Sequence, residues 1–319
     1  MGDLLFVFDR THAAIAAERT LLDGGFAVRV MPIPTAIIAG CGIGLRIDKA
    51  RRAEAFALLQ TQKITVEAYA IGDTYPIVQA KPVFSSALGL QPGDAVALIG
   101  CGGKTTLLHR LAAELRSEII LLATTTRILP PPATLIDQIN PEQLTAGVNL
   151  LHGGFDGAKL MPPEPKRLAA LRPVGGYTLL ECDGSKGLPL KGWAVHEPVV
   201  PPWTAATVGV CTLWPTDEAL SAEYVHRPEL FCALTGAEMG KSITLTHVAA
   251  MISHENGLFS KTAGRRYLFI NQVKTEEQEL QVQNLISLLP QSFKSNLSDI
   301  LFGSAQQGTV FSFYGEVGK

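Results

Sequence analysis

Two spacings of apolar residues alternate along this chain. Short apolar or alternating runs, the period-two mark of strands, are followed by stretches whose apolar residues recur three or four apart, the mark of helices. Residues 4–8 read as a strand, and 11–22 as a helix with Thr11 as its N-cap and Gly24-Gly25 as its stop. Residues 27–33 and 43–47 read as strands, Asp48 caps a helix running to residue 60, and 66–71 closes with a strand. The order β-α-β-β-α-β predicts a small α+β domain of the split-βαβ, ferredoxin-like type over residues 1–72.

Residues 73–94, with Pro76, Pro82 and Pro92, read as a linker carrying a lead-in helix at 84–90. From 95 to 319 strands and helices alternate. Strands are expected at 95–99, 119–123, 149–152, 178–182, 206–213, 267–270, 300–302 and 310–313. Helices are expected at 104–116, 223–235, 246–255 and 276–289. That alternation predicts an α/β domain of the P-loop type, a mostly parallel sheet with helices on both faces.

Composition narrows the class. A chain of 319 residues that is 47% hydrophobic and 18% charged builds a sizeable core and is not disordered. A formal charge of −2 and a pI near 6.4 give no electrostatic footprint for nucleic acid or an anionic membrane. With no signal segment and no apolar run long enough to span a bilayer, the expectation is a cytoplasmic enzyme or binding protein. Cys41, Cys101, Cys182, Cys211 and Cys232 are scattered and form no Cys-x-x-Cys pair, which argues against a disulfide framework or structural zinc.

The chemistry concentrates after the first strand of the large domain. Gly100-Cys101-Gly102-Gly103-Lys104-Thr105-Thr106 lies between a continuous apolar strand and a helix. Glycines let backbone N–H groups approach phosphates, and the helix N-terminus adds positive potential. Lys104 then supplies a charge to the terminal phosphates, and Thr105 a hydroxyl for Mg²⁺. The spacing is shorter than the common pattern, because Leu98 stands where that pattern has its first glycine.

Partner residues follow. Glu181 and Asp183, two apart on a strand, face one side and suit a divalent cation. Lys186 and Lys191 come next, in a loop suited to phosphate charge or an anionic substrate. His196-Glu197-Pro198 offers an acid/base, a ligand or a structural hydrogen bond. Thr124-Thr125-Thr126-Arg127 ends a strand where open α/β sheets hold ligands, although a threonine run also simply suits a strand. His226-Arg227-Pro228 reads as a helix start or a functional feature. Asn271 follows a strand where guanine-nucleotide proteins carry Asn-Lys-x-Asp, but Lys274 replaces the acid that would read guanine. Asn271 alone remains for base contact.

These segments, in this order, resemble the YqeC-like accessory proteins of selenium-dependent molybdenum hydroxylases, from residue 81 onward; Cys101 and Cys182 stand where alanine is expected. The first domain resembles the selenium/sulfur carrier-like family through Phe6-Val7-Phe8, Ala16-Ala17-Glu18, Met31-Pro32-Ile33-Pro34 and Gly40-Cys41-Gly42-Ile43-Gly44-Leu45-Arg46. That resemblance implies Cys41 as the chalcogen-bearing residue; a buried apolar role is the alternative. The implied function is a maturation factor that binds and hydrolyses ATP or GTP with Mg²⁺, with Lys104, Asp183, Lys186 and Cys41 as catalytic residues. Its implied partners are a molybdenum hydroxylase or that enzyme's cofactor-maturation proteins. Two other readings stand beside it. The short loop is also similar to that of Mur ligases, although Gly102 replaces the expected Asn. A non-enzymatic carrier or chaperone switched by nucleotide is the third.

Overall fold

The computed structural model describes residues 3–37, 42–72 and 75–315. The expectation placed on Cys41 lies outside the described residues.

The first unit runs β1 (Asp3–Val7), α1 (Thr11–Asp23), β2 (Arg29–Pro32), β3 (Ile43–Asp48), α2 (Arg52–Thr61) and β4 (Glu67–Ala70). Its strands pair antiparallel in the order β2-β3-β1-β4, as the β-α-β-β-α-β reading requires. A fifth strand, β5 (Ile77–Gln79), pairs with β4 from within the expected linker. Leu4, Phe6, Leu45 and Ala68 on one face pack with Ala14, Ala17, Ala55 and Leu59 of α1 and α2. The helix boundaries shift slightly. Thr11 is the first residue of α1 rather than its cap: Arg10 holds the cap position and makes no side-chain capping bond. Asp48 does cap, accepting the Ala50 N–H at 2.9 Å, although a single 3₁₀ turn precedes α2.

A short helix, α3 (Phe84–Ala87), leads into β6 (Ala95–Gly100) and α4 (Lys104–Glu114). It stops before residue 90 because Gly89 turns the chain with φ +54°. There follow β7 (Ile119–Thr124), β8 (Gln138–Ile139), β9 (Gly147–Leu151), the hairpin β10 (Phe155–Asp156) and β11 (Lys159–Leu160), α5 (Pro165–Ala170) and β12 (Tyr177–Glu181). Next come β13 (Leu190–Lys191), β14 (Ala206–Thr212), β15 (Val225–His226), α6 (Pro228–Thr235) and α7 (Leu245–Ser253). The chain finishes with β16 (Arg265–Asn271), α8 (Glu276–Leu288), α9 (Gln291–Lys294), β17 (Asp299–Ser304) and β18 (Thr309–Ser312).

The large sheet has the order β18-β17-β16-β14-β6-β12-β7-β9-β8 and is parallel except at the edge pair β17–β18. Residues of β6 alternate between two cores. Ala97 and Ile99 join Phe231, Met251, Ile252, Val282 and Leu285 from α6, α7 and α8. Val96 and Leu98 join Phe84, Leu107, Leu108 and Leu111 from α3 and α4. Helices therefore cover both faces, and every residue of β6, β12 and β14 is buried. The helix expected from residue 223 starts only at Pro228. Val225 and His226 are held in a parallel bridge to β13, and Arg227 sits at φ +58°, so the chain enters the helix through the proline.

The two units meet at α4, whose N-terminus is the glycine loop. Its Arg110 is 1% exposed and donates to Glu67 of β4 at 2.6 Å and to Glu114 at 3.1 Å. Glu114 also accepts the backbone N–H groups of Val83, Phe84 and Ser85, satisfying the first turn of α3. Arg116 reaches the carbonyls of Val78 and Leu135 and the carboxylate of Asp137.

Candidate functional site

The glycine loop follows the most central buried strand, where the sheet delivers its C-terminal edge to solvent. Gly100, Gly102 and Gly103 all adopt positive φ, at +101°, +76° and +123°. At all three an added Cβ would fall inside contact distance, most tightly at Gly100 and Gly103. A Cβ on Gly100 would stand 2.1 Å from the Val210 carbonyl oxygen, and one on Gly103 would stand 2.1 Å from Asn271 Nδ2. Between them Cys101 donates its N–H to the Val210 carbonyl, and its side chain is in the core.

Lys104 opens α4 and folds back over the loop. Its ammonium donates to the Gly100 carbonyl at 2.7 Å and lies 3.2 Å from Asp183 and 3.8 Å from Glu181. Burial works against that charge, but Asp183 and Glu181 outweigh it and hold the lysine above its usual range. Thr105 donates its hydroxyl to Glu181 Oε2 at 2.9 Å.

The two acids have different surroundings. Asp183 has no exposed surface. Its oxygens accept the Gly100 N–H at 3.0 and 2.9 Å, the Trp193 indole N–H at 2.9 Å, and the Lys191 ammonium at 3.2 Å. Glu181, beside Thr105, lines the cavity. Burial pushes its carboxyl above the usual range, against the opposing pull of Lys104 and Thr105.

Behind Asp183 the charges alternate. Lys191, fully buried, donates to Glu197 at 2.9 Å, and Arg227 grips Glu197 at 2.6 and 3.2 Å. Burial alone would raise the Glu197 carboxyl, but the Arg227 hydrogen bonds and the Lys191 charge hold it down at about 2. Lys191, Glu197 and Arg227 thus form a support behind the loop, whereas His196 is exposed and makes no side-chain hydrogen bond among the described residues.

Asn271 is also a support. It donates to the Gly102 carbonyl at 2.8 Å and accepts the Ala305 N–H at 3.0 Å, so both ends of its amide are occupied. Its neighbour Gln272 reaches the same carbonyl at 3.3 Å and lines the cavity. The threonines tie loops together. Thr124 donates to the Thr126 and Glu181 carbonyls, and Thr125 to the Val199 carbonyl at 2.7 Å. The Thr126 hydroxyl is buried and has no hydrogen-bond partner among the described residues.

Beside the loop lies one cavity of about 610 Å³, which Asp183, Lys191, Glu197, Arg227, Asn271 and the threonines at 124–126 do not line. From the sequence-derived set it is lined by Gly102, Gly103, Lys104, Thr105, Thr106, Glu181 and Lys186. Arg127, Lys159, Trp214 and Gln272 are among the other residues that line it. Trp193 was missed by reading residue patterns, although an indole that packs into a core needs an acceptor for its N–H. Lys159 and Trp214 carry no local signal at all, since only the folding of the hairpin and of the β14 loop brings them to the cavity. The Cys101 and Cys182 thiols are buried and pushed up to about 12, which makes them core residues rather than nucleophiles.

Among the described residues no group of three or more His, Cys, Asp or Glu is gathered for a metal ion, and no helix is long and apolar enough to cross a membrane. Residues 96–229 match the family model described as YqeC protein, and residues 3–70 match the one described as Putative Se/S carrier protein-like. The chain is 29% identical over 220 residues to "Uncharacterized protein YqeC" of Escherichia coli strain K12, covering 64% of this chain and 86% of that protein. No solved structure matches.

Proposed function

From a chain that carries a YqeC segment behind a Se/S carrier-like segment, a pairing that fits a selenium-related accessory role, we propose a nucleotide-dependent maturation factor. It binds ATP or GTP at the Gly100–Thr106 loop and hydrolyses it in the service of a selenium-dependent molybdenum hydroxylase. One observation carries this reading. A positive-φ glycine loop joins a buried parallel strand to a helix, and Lys104, Thr105 and Glu181 meet at one cavity. The α4 N-terminus at the end of that loop favours phosphate oxygens there.

Lys104 is already protonated and preformed, so phosphate replaces the Gly100 carbonyl as its partner. Thr105 and Glu181 are the residues that would hold a magnesium ion, which would supply positive charge to neutralise the outer phosphates. Asp183 does not contact the ligand; it holds the Gly100 N–H, Lys104 and Lys191 in register. The carrier-like unit stands against α4, and a second cavity of about 180 Å³ between them is lined by Ala36, Ile37, Tyr69, His109 and Thr106. Thr106 borders both cavities, which supports a carrier unit working beside the nucleotide.

The test is thermal unfolding with Mg-ATP and Mg-GTP, followed by phosphate release. A ligand at a hundred times its Kd stabilises the fold by about 2.7 kcal/mol, a rise of several degrees. Thr105→Ala and Lys104→Ala should reduce that rise. No rise with either nucleotide in the unaltered chain overturns the reading, and binding without turnover would favour a nucleotide-switched carrier.

A further inference from the structure

We propose that the arm of the large cavity bounded by Arg127, Lys159 and Lys186 binds a second ligand, an organic phosphate monoester, beside the nucleotide. The inference rests on the reading above in assigning the glycine loop to the nucleotide. The cavity crosses the C-terminal edge of the sheet from Gln272, after β16, to Arg127, after β7. Strands lie about 4.8 Å apart, so β7 and β16 each stand about 10 Å from β6, on opposite sides of the loop. A nucleotide anchored at the loop extends to one side and leaves the other open.

The two sides differ in chemistry. Towards β16 stand Gln272 and Trp214, whose indole is half exposed and offers a face to a planar base. Towards β7 stand Arg127, Lys159 and Lys186, with Ile128, Leu129 and Pro189 as apolar wall. Among the described residues Glu181 is the one carboxylate in the lining, and Thr105 and Lys104 engage it. The cationic arm is therefore uncompensated from within the cavity. Arg127 pairs at the rim with Asp156 of the hairpin, and among the described residues Lys159 and Lys186 make no ion pair. Lys186 is held at φ +53° between Gly184 and Gly187, an unusual backbone for a lysine. Strain of that kind collects at ligand sites. The hairpin is fixed along this wall by reciprocal backbone bonds between Ile128 and Leu160. A guanidinium fork and two ammonium groups over an apolar wall match a dianionic phosphate on a small organic body.

The experiment is calorimetric titration of the full chain with phenyl phosphate, with and without saturating Mg-ADP. Binding should persist with Mg-ADP present. The exposed-site variant Arg127→Ala/Lys159→Ala should weaken phenyl phosphate at least tenfold and change Mg-ADP affinity less than twofold. Mutual exclusion of the two ligands, or a tenfold loss for both in the variant, would overturn the second site. So would an absence of phenyl phosphate binding at millimolar concentration. If no nucleotide binds at all, the subsite still stands when phenyl phosphate binding survives Thr105→Ala and is lost in the double variant, and it falls otherwise.

Discussion

Both carboxylate oxygens of Asp183 accept the single backbone N–H of Gly100, at 2.9 and 3.0 Å, across the junction of β12 and β6. The acid thereby fixes the first residue of the glycine loop while compensating Lys104 and Lys191. Asp183→Asn keeps the shape and removes the charge. Breaking a buried pair of this kind costs about 3–5 kcal/mol, and urea unfolding should read a loss in that range. A loss below about 1 kcal/mol, the value of an exposed pair, would contradict the role given to Asp183.

Gly103→Ala should disable the loop. At φ +123° with Asn271 Nδ2 in the way, the new methyl forces the loop or Asn271 to move, and Asn271 is bonded at both ends. Strained positive-φ residues cost about 1–3 kcal/mol. Thermal unfolding should show that loss, and the rise with Mg-nucleotide should disappear. Retention of both would mean the loop is not held as described.

Acid should weaken the fold in two stages. His226 is lowered to about 4, by burial first and then by Arg227, Lys191 and Lys186. Burial alone takes His109 to about 4. Their folded forms resist protonation, so stability falls as pH drops from about 6.5, the ordinary histidine value, towards 4. Glu197, held at about 2, contributes stability that is complete above its unfolded value and is lost as pH falls towards 2. A series of unfolding midpoints against pH checks both stages. Glu197→Gln should flatten the lower one and leave the upper one in place.

Alkylation should follow burial. Cys101, Cys182 and Cys211 are enclosed with raised thiols, whereas Cys232 on α6 is partly open. Mass spectrometry after iodoacetamide treatment of the native chain should find Cys232 modified ahead of those three. In denaturant all should react. Rapid native labelling of Cys101 would contradict its place under the loop.

Arg110 joins the two units. Arg110→Ala removes the ion-pair partner of Glu67 and one partner of Glu114 in a buried setting, with an expected loss of about 3–5 kcal/mol. If the units are joined as described, limited proteolysis should also cut the 73–94 region faster in this variant.

Much of the architecture was legible from residue patterns. The strand–loop–helix at Val96–Lys104 is a local arrangement, because a buried parallel strand must be continuously apolar and its turn must use glycine. The β-α-β-β-α-β order was equally local, and the antiparallel pairing of the small sheet follows it. β5 escaped because three residues in a proline-rich stretch carry no period; they become a strand only by completing the edge of β4. Helix ends shifted at Thr11 and Pro228 because backbone pairing and turn geometry overrode side-chain preference.

The residue types of the site were set by the sequence, and their division of labour by the tertiary structure. Spacing puts Glu181 and Asp183 on one strand end and cannot say which one lines the cavity. That depends on Trp193 and Lys191 from one segment and Gly100 from another closing around Asp183, while Thr105 draws Glu181 to the cavity. Lys191, Glu197, Arg227 and Asn271 likewise stand behind the loop, since buried charges and amides must find partners and these found one another or the loop backbone. The glycine loop is written into consecutive residues because close backbone approach is a local demand. The cavity around it is not, because convergence of side chains from distant strands exists only once the sheet has formed.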